Sequence, residues 1–402
     1  MSAIEGKQIV IVGGGPGGLT LARLLQMQGA DVRVYERDRS RDARVQGSAL
    51  DLHEDSGLAA LEAAGLTDQF WANYRPDLNQ LRLTDPEGNI LHVHERRTSG
   101  EGQRPEIERG PLRDILLDSL KPDTVHWDRK LESAEFAGDQ VMLLFAGGER
   151  VLADLAIGAD GANSRLRPLV TSVAPRYVGV SLVEGSVPAG AEAVPELWNL
   201  LEGSALIALG SERTLGMGTK PDGSILFYAG LKSSDTQARQ SLEEASSAAQ
   251  RVAWFRANFA GWSALWEPLF SKAKSLVWRP LLTCPANQHW ETRPNVTLIG
   301  DAAHVMPPYA GEGVNMAMLD ALVLSQRMAS ASNPIQAIAA YEEEMFTRMR
   351  DMTDDTMRNT EMFYAPDAAD QVVGLFRSFA GNSSIEISNA ETAEYEIRTA
   401  NN

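Results

Sequence analysis

Apolar and polar positions follow two periodicities along the chain, and the first appears at the N-terminal end. An apolar run, Gln8–Val12, breaks at glycines and is followed by leucines and alanines three and four residues apart. This order predicts a strand, a tight turn and an amphipathic helix. Gly29 stands where a left-handed residue would end that helix, and Asp31–Tyr35 alternates like a half-buried strand. The segment therefore predicts a βαβ unit.

The helical pattern returns later in the chain, with strand-rich segments between its occurrences. An amphipathic helix is predicted at 110–120, and the turn sequences DPEGN and KPDGS predict hairpins within the strand-rich parts. We predict an α/β protein, α+β overall, in which a Rossmann-like dinucleotide-binding domain is interleaved with a β-sheet domain. The first domain takes residues 1–74, 104–172 and 284–330, and the second takes 75–103 and 173–283.

A long helix is predicted after these domains. Pro334 is well placed as its first residue, since proline is favoured there. Apolar residues then recur at helical spacing: Ile335, Ile338, Tyr341, Met345, Met349 and Met352. Methionine fills irregular gaps, so this stripe predicts packing rather than ligand binding. Residues 331–365 are predicted as a C-terminal bridging helix, and 366–402 as an acidic tail.

Composition limits the possible functions. The chain has 402 residues, of which 44% are hydrophobic and 23% charged, as in a soluble globular protein. A formal net charge of −17 disfavours nucleic acid and anionic membranes as partners. The single cysteine, Cys284, excludes an intrachain disulfide. Without a signal pattern or a membrane-length apolar run, we expect a cytoplasmic protein, and we expect a monomer.

The first turn has the residue pattern of a dinucleotide site. Gly13, Gly15 and Gly18 fit G-x-G-x-x-G, in which successive glycines allow the turn, the approach of a pyrophosphate and close helix packing. Glu36 follows the second strand, where a carboxylate can accept hydrogen bonds from ribose hydroxyls. No Gly-Lys-Ser/Thr follows, which excludes a P-loop. The loop leaves FAD, NAD and a turn that binds nothing as alternatives.

Two later motifs narrow this choice. One strand runs into Asp160-Gly161, and another runs into Gly300-Asp301, a Pro-Pro loop and glycines 311 and 313. In this order, over residues 1–365, the three motifs resemble those of the single-component FAD-dependent aromatic hydroxylases, the group-A flavin monooxygenases. Within that family, the segments VYERDRSRDARVQGSALDLHEDSG, VHWDRKL and GDAAHVMPPYAGEGVN resemble those of the tetracycline-inactivating monooxygenases.

The resemblance implies FAD as cofactor, NADPH as electron donor and O2 as co-substrate. It implies hydroxylation, through a flavin C4a-hydroperoxide, of a planar polycyclic phenolic, polyketide-like or tetracycline-like small molecule. Arg44 is the implied NADPH contact, and Asp160 is implied to serve both FAD and the nicotinamide donor. The implied cofactor contacts are Gly13, Gly15, Gly18, Glu36, Arg37, Asp51, Arg113, Asp160, Asp301, Pro308, Gly311, Gly313, Val314 and Asn315.

The residues around the third motif support part of this assignment independently. Asp301 after Gly300 supplies a short acceptor where backbone can approach a ribityl chain. A helix beginning near Val314 would direct its N-terminus at the flavin edge that becomes negative on reduction. Glu312 stands where many relatives have Gln, and a carboxylate there would oppose an anionic flavin. We therefore expect Glu312 to be an exposed loop acid.

Substrate residues are predicted in the strand-rich segments. Glu184, Ala205 and Phe227 stand where the tetracycline enzymes carry a Gln, Arg and His clamp, so the resemblance implies a less polar pocket. A second set on the predicted sheet either lines an aromatic-substrate pocket or forms only the core face: Trp198, Met217, Phe227 and Tyr228.

Other histidine pairings and functions are weaker alternatives. His92 and His94 share a strand face, but no third ligand is nearby, so no metal site is predicted. His304 is expected to position the flavin loop, and Asp51-Leu52-His53 lacks the nucleophile elbow of a hydrolase. A halogenase is disfavoured because the W-x-W-x-I-P stretch is absent. A flavin-dependent reductase and a non-catalytic flavoprotein that sequesters a small molecule remain alternatives.

Overall fold

The chain forms two compact units of different architecture. The computed structural model describes residues 3–43, 49–76, 80–95, 104–233 and 236–378. The first unit lies within Met1–Pro76, Arg97–Val178 and Leu281–Asn359. The second lies within Asp77–Arg96, Gly179–Pro280 and Thr360–Asn402. Each unit is thus assembled from segments that are not contiguous in the sequence.

The described residues form the following elements. The strands are β1 (Gln8–Val12), β2 (Asp31–Tyr35), β3 (Leu50–Asp51), β4 (Gln80–Thr84), β5 (Ile90–Glu95), β6 (Glu106–Ile107), β7 (Val125–His126), β8 (Leu131–Ala137), β9 (Gln140–Phe145), β10 (Arg150–Ala153), β11 (Leu155–Gly158), β12 (Arg176–Val187), β13 (Ala205–Gly210), β14 (Arg213–Thr219), β15 (Ile225–Lys232), β16 (Leu276–Thr283) and β17 (Val296–Leu298). The α-helices are α1 (Pro16–Met27), α2 (Ala59–Ala63), α3 (Thr67–Trp71), α4 (Arg109–Asp118), α5 (Arg167–Val170), α6 (Gly190–Ala193), α7 (Pro195–Leu201), α8 (Thr236–Glu244), α9 (Ala248–Asn258), α10 (Glu267–Lys272), α11 (Asp301–His304), α12 (Gly313–Ser330) and α13 (Pro334–Phe363). A π-helical turn covers Glu54–Leu58, and 3-10 turns cover Ala264–Trp266 and Pro308–Ala310.

A parallel sheet forms the centre of the first unit. Its strand order is β17-β11-β1-β2-β7, and every neighbouring pair is parallel. Consecutive residues of β1, from Ile9 to Val12, are buried, as expected for a strand covered on both faces. Helices α1 and α12 approach closely at Gly17, where a Cβ atom would lie 2.8 Å from the carbonyl oxygen of Ala317. The predicted Rossmann-like βαβ architecture is confirmed.

A seven-stranded mixed sheet forms the second unit, in the order β16-β12-β15-β14-β13-β4-β5. The pair β13-β4 is parallel, whereas β12-β15, β15-β14, β14-β13 and β4-β5 are antiparallel. The turns DPEGN and KPDGS join β4 to β5 and β14 to β15, which confirms both predicted hairpins. In the first turn, the Asp85 carboxylate accepts hydrogen bonds from the Glu87 and Asn89 backbone N–H groups.

The long C-terminal helix begins at Pro334, as predicted, and ends at Phe363. The stripe members Ile338, Tyr341, Met345 and Met349 are buried in the core of the first unit. Ile335 departs from the prediction and is 42% exposed, because it lies in the first turn, at the end of the helix.

The segment predicted as an acidic tail begins with further regular structure. Residues 368–378 are helical, and three apolar side chains in this segment are buried: Ala368, Val372 and Val373. The acidic composition of the whole segment concealed this short apolar stripe.

Candidate active site

The turn between β1 and α1 is shaped by close backbone contacts. A Cβ atom at Gly13 would lie 2.2 Å from the carbonyl oxygen of Ala159, and one at Gly18 would lie 2.2 Å from that of Gly13. At Gly15, by contrast, a Cβ atom would meet nothing within 4 Å. The first and third glycines therefore serve packing, whereas the second borders open space that a phosphate can approach.

Glu36 closes this turn from the end of β2. Its side chain is buried, and Oε2 accepts a hydrogen bond from the Gly14 N–H at 2.7 Å. Oε1 accepts one from the Asp38 N–H at 2.9 Å. A carboxylate has about four acceptor positions, so acceptor capacity remains for ribose hydroxyls. The neighbouring Arg37 is exposed.

Arg113 reaches the same turn from α4. The buried guanidinium donates to the carbonyl oxygens of Gly14 and Arg41, at 3.3 and 3.1 Å, and pairs with Asp38 at 3.4 Å. It also stacks over the Trp127 ring, 5.2 Å from its centroid. Arg113 therefore braces the glycine turn.

The second motif places a buried carboxylate oxygen after β11. Asp160 follows β11, and its Oδ2 accepts a hydrogen bond from the Arg165 N–H at 2.7 Å. Its Oδ1 is buried and has no hydrogen-bond partner among the described residues. Burial raises the pKa of Asp160 above its usual range. Because buried polar atoms are almost always paired, an unpaired carboxylate oxygen at this position is exceptional.

The third motif places Asp301 at the start of α11 with its side chain exposed. Gly300 before it has a φ of +58°, and a Cβ atom there would lie 2.8 Å from that of Ala317. Both features require glycine, because other residues rarely adopt this conformation and a side chain would collide. The backbone therefore approaches α12 closely beside Asp301.

Asp320 of α12 anchors this motif through hydrogen bonds. The buried carboxylate accepts hydrogen bonds from the Gly300 N–H at 2.8 Å, from His304 Nε2 at 2.6 Å and from Arg348 Nη2 at 2.6 Å. Burial alone would raise the pKa of Asp320, but His304 and Arg348 bring it below the usual range. His304 thus lies in a buried hydrogen-bond network that fixes the backbone next to Asp301.

A second charged cluster lies at the N-terminus of α12. His53 Nε2 is 3.1 Å from Asp51 Oδ2, and His53 Nδ1 is 3.1 Å from Glu312 Oε1. Asn315 joins the same segments, since its Oδ1 accepts from the His53 N–H at 3.0 Å and its Nδ2 donates to the Asp51 carbonyl at 2.9 Å. The His53 and Glu312 side chains are only 9% and 12% exposed. The expectation that Glu312 is an exposed loop acid is therefore wrong.

His53 is the site residue that sequence reasoning missed. Burial alone would lower its pKa, but hydrogen bonds to Asp51 and Glu312 outweigh this effect and raise the pKa of His53 to about 9. At neutral pH the ring is therefore an imidazolium between two carboxylates. The motif Asp-x-His after a short strand was a possible signal, but nothing local pointed to Glu312 as the second partner.

The remaining predicted loop residues lie beside this cluster. Gly311 has a φ of +72°, and a Cβ atom at Gly313 would meet nothing within 4 Å. Pro308 is exposed in a 3-10 turn, and Val314 is half-buried in the first turn of α12. Arg44 lies outside the described residues.

Comparison with known proteins shows the family of the chain. A family model described as an FAD binding domain matches residues 7–180 and 286–356, more than half of the chain. Monooxygenase asqM of Emericella nidulans is 27% identical over 92% of this chain and 98% of its own length. The 3-amino-4-hydroxybenzoate 2-monooxygenase PtmB3 of Streptomyces platensis is 29% identical over 90% of both chains. The chain belongs to the group-A FAD-dependent monooxygenases.

The fold of this monooxygenase is also that of solved structures. Tetracycline destructase Tet(55) superposes with a TM-score of 0.75 at 22% identity, covering 95% of this chain and 96% of the other. The predicted family and its cofactor FAD are thereby confirmed.

The predicted substrate residues on the sheet of the second unit lie on its two opposite faces. Met217 and Phe227 are buried in the core of this unit, with Phe227 packed 5.4 Å from Phe270 of α10. Glu184 and Ala205 lie on strand positions of the opposite face, where Glu184 accepts a hydrogen bond from Arg279 Nε at 3.0 Å. Of the two interpretations for Met217 and Phe227, the structure favours the core.

Trp198 does not lie on the sheet, contrary to the prediction. It belongs to α7, which Pro195 begins, and it packs against the same core. An aromatic residue in a strand-rich segment was misassigned because the helix around it is short.

Neither a metal site nor a membrane helix is found in the part of the chain that the structure describes. No three His, Cys, Asp or Glu side chains there are grouped so that they could hold a metal ion. The rings of His92 and His94 are 6.3 Å apart, and His94 packs against Phe376. None of the described helices is long and apolar enough to cross a bilayer.

Proposed function

We propose that this monooxygenase uses NADPH and O2 to hydroxylate a planar phenolic or polycyclic small molecule. The observation that carries the proposal is the start of α12, where Gly313 borders open space and the N-cap residue Glu312 makes no side-chain capping hydrogen bond. A helix N-terminus stabilises negative charge, which a flavin gains when it is reduced. The dipole of α12 therefore favours the reduced form of a flavin bound at this position.

Bound FAD supplies hydride acceptance and oxygen activation, whereas the chain binds and orients. The Gly15 turn would hold the pyrophosphate, with Glu36 toward the adenosine ribose. Asp301 would accept a hydrogen bond from a cofactor hydroxyl, and Asp160 would do the same if its buried oxygen turned toward the cofactor. NADPH as donor rests on the family resemblance, in which Asp160 also serves the nicotinamide donor.

The substrate class is supported by one face of the sheet in the second unit. Glu184, Tyr228, Gly216 and Ile207 are successive register neighbours on this face. A Cβ atom at Gly216 would meet only one atom, 4.0 Å away, and one at Gly218 would meet nothing within 4 Å. The two glycines leave a flat strip beside the Tyr228 ring, and flat strips next to aromatic rings suit planar substrates.

Two relatives indicate which planar molecules to try first. The name of the Streptomyces relative gives a phenolic benzoate, which represents single-ring substrates. The name of the solved structure Tet(55) gives tetracycline, which represents the polycyclic class. Glu184 is paired with Arg279, so no isolated charge at that position selects a cationic substrate. A cytoplasmic location and a monomeric state stay predictions.

The experiment that tests the substrate surface is Gly216→Val. A branched side chain should fill the strip and raise KM at least tenfold for any compound that accelerates NADPH oxidation in the wild type. The FAD absorbance of the variant, which depends on the other unit, should be unchanged. Unchanged KM would place the substrate elsewhere. Labelled O2 then separates hydroxylation, which puts label into the product, from reduction, which does not.

A further inference from the structure

The charged cluster at the start of α12, formed by Asp51, His53 and Glu312, has no assigned role. The two carboxylates approach His53 from different elements, Asp51 from the end of β3 and Glu312 from the residue preceding α12. Each is 3.1 Å from a different ring nitrogen. An imidazole ring can donate from both nitrogens only when it is protonated. The geometry alone therefore favours an imidazolium.

The surroundings of the cluster keep this arrangement in place. Asn315 binds the backbone on both sides of Leu52, and a Cβ atom at Gly57 would lie 2.6 Å from the Asn315 side-chain oxygen. Other charged groups face the cluster only from its edge. Arg104 is 3.9 Å from Asp51 and half exposed, while Glu54 and Asp55 of the adjoining turn are exposed to solvent.

The charge of the cluster depends on whether His53 holds a second ring proton. With the imidazolium present, two carboxylates and one cation leave one net negative charge. Without that proton the cluster carries two negative charges, in a region where solvent screens poorly. The two carboxylates would then repel a reduced, anionic flavin at the start of α12 more strongly and offset the favourable helix dipole.

We propose that His53 is a positioning residue that clamps Asp51 and Glu312 and thereby sets the charge that the start of α12 presents to FAD. Glu312 lowers the reduction potential of the flavin relative to Gln at this position, and His53 limits the size of that effect. The proposal rests on the assigned FAD site, not on the substrate.

The first test uses the protein without FAD. NMR of ring-labelled histidines should show His53 protonated on both nitrogens at pH 7, with the signal assigned by its loss in His53→Gln. Glu312→Gln should lower the titration midpoint of His53 by at least one pH unit. The ring signals of His126, which stacks on Tyr35, are the internal control and should have the same chemical shifts at pH 7 in the wild type and in Glu312→Gln. A neutral His53 at pH 7, or an unchanged midpoint in Glu312→Gln, would overturn the clamp.

The second test uses FAD-loaded protein at pH 7 and follows reduction against dyes of known potential. Glu312→Gln should favour the reduced flavin about tenfold, equivalent to about 30 mV for two electrons. His53→Gln should shift the equilibrium in the opposite direction. A residue with only a structural role would not give opposite shifts, so equal potentials or shifts of one sign would contradict the proposal. Failure of the wild type to bind FAD would instead reject the assigned cofactor, and the NMR result would stand independently.

Discussion

Two helices of the first unit begin at glycine turns, and their N-termini are built differently. The start of α1 is determined by close backbone contacts. Only glycine avoids collisions at positions 13 and 18, and Gly15 borders open space. The start of α12 is instead surrounded by paired charged side chains, those of Asp51, His53 and Glu312. A pyrophosphate has a fixed charge and needs steric access. A flavin changes charge during turnover. In the proposed site, the charged side chains at the start of α12 would therefore affect how easily the flavin is reduced.

The largest effect should come from the buried scaffold of the α12 turn. Asp320→Asn should lower the free energy of unfolding by about 3–5 kcal/mol, because the change leaves Arg348 without its counter-ion and disturbs the hydrogen bond to His304. Urea unfolding of the FAD-free protein measures this loss.

The matched control for this change is Asp355→Asn. Asp355 is 52% exposed and paired with Arg358, so its loss should cost less than about 1 kcal/mol. Similar losses in the two variants would show that the buried network does not support the turn.

The charged cluster at the start of α12 should make the stability of the protein depend on pH. The folded pKa of His53, about 9, lies above the unfolded value of 6.5. The stabilisation is therefore complete below pH 6.5 and is lost as pH rises through 9. Since one pKa unit corresponds to about 1.4 kcal/mol, this shift contributes about 3–4 kcal/mol to the free energy of unfolding. Unfolding measured at pH 6.5 and 9.5 should show this decline in the wild type but not in His53→Gln, and a parallel decline in both would refute it.

A pair of glycine variants sharpens the picture of the α1 turn. Gly18→Ala should destabilise the protein by about 1–3 kcal/mol, because the methyl group collides with the Gly13 carbonyl oxygen. Gly15→Ala should leave stability nearly unchanged, since the site is open and its φ is −81°. It should nevertheless weaken FAD binding at least tenfold in a fluorescence titration. FAD affinity equal to that of the wild type would remove the pyrophosphate from this position.

Features encoded by neighbouring residues could be predicted from the sequence. The βαβ turn, both hairpins and the start of α13 at Pro334 each depend on glycine, proline or periodicity within a short segment. Such local rules hold because the backbone conformation they describe is decided by a few adjacent residues.

Features that depend on distant contacts could not be predicted in this way. Alternation showed that β15 has two faces, but only the helices packed on one of them put Phe227 in the core and Tyr228 on the other side. Glu312 looked like a loop acid because its partner, His53, comes from a remote part of the chain. Electrostatic pairing of this kind has no period and no fixed spacing.

The most direct test of the central claim, a flavin monooxygenase, is the visible absorption spectrum of the purified, desalted protein, recorded again after NADPH with and without phenolic benzoates and tetracycline. We expect a flavin spectrum that NADPH bleaches, with faster NADPH consumption when a substrate is present. A protein that shows no flavin spectrum even after reconstitution with FAD would contradict the claim.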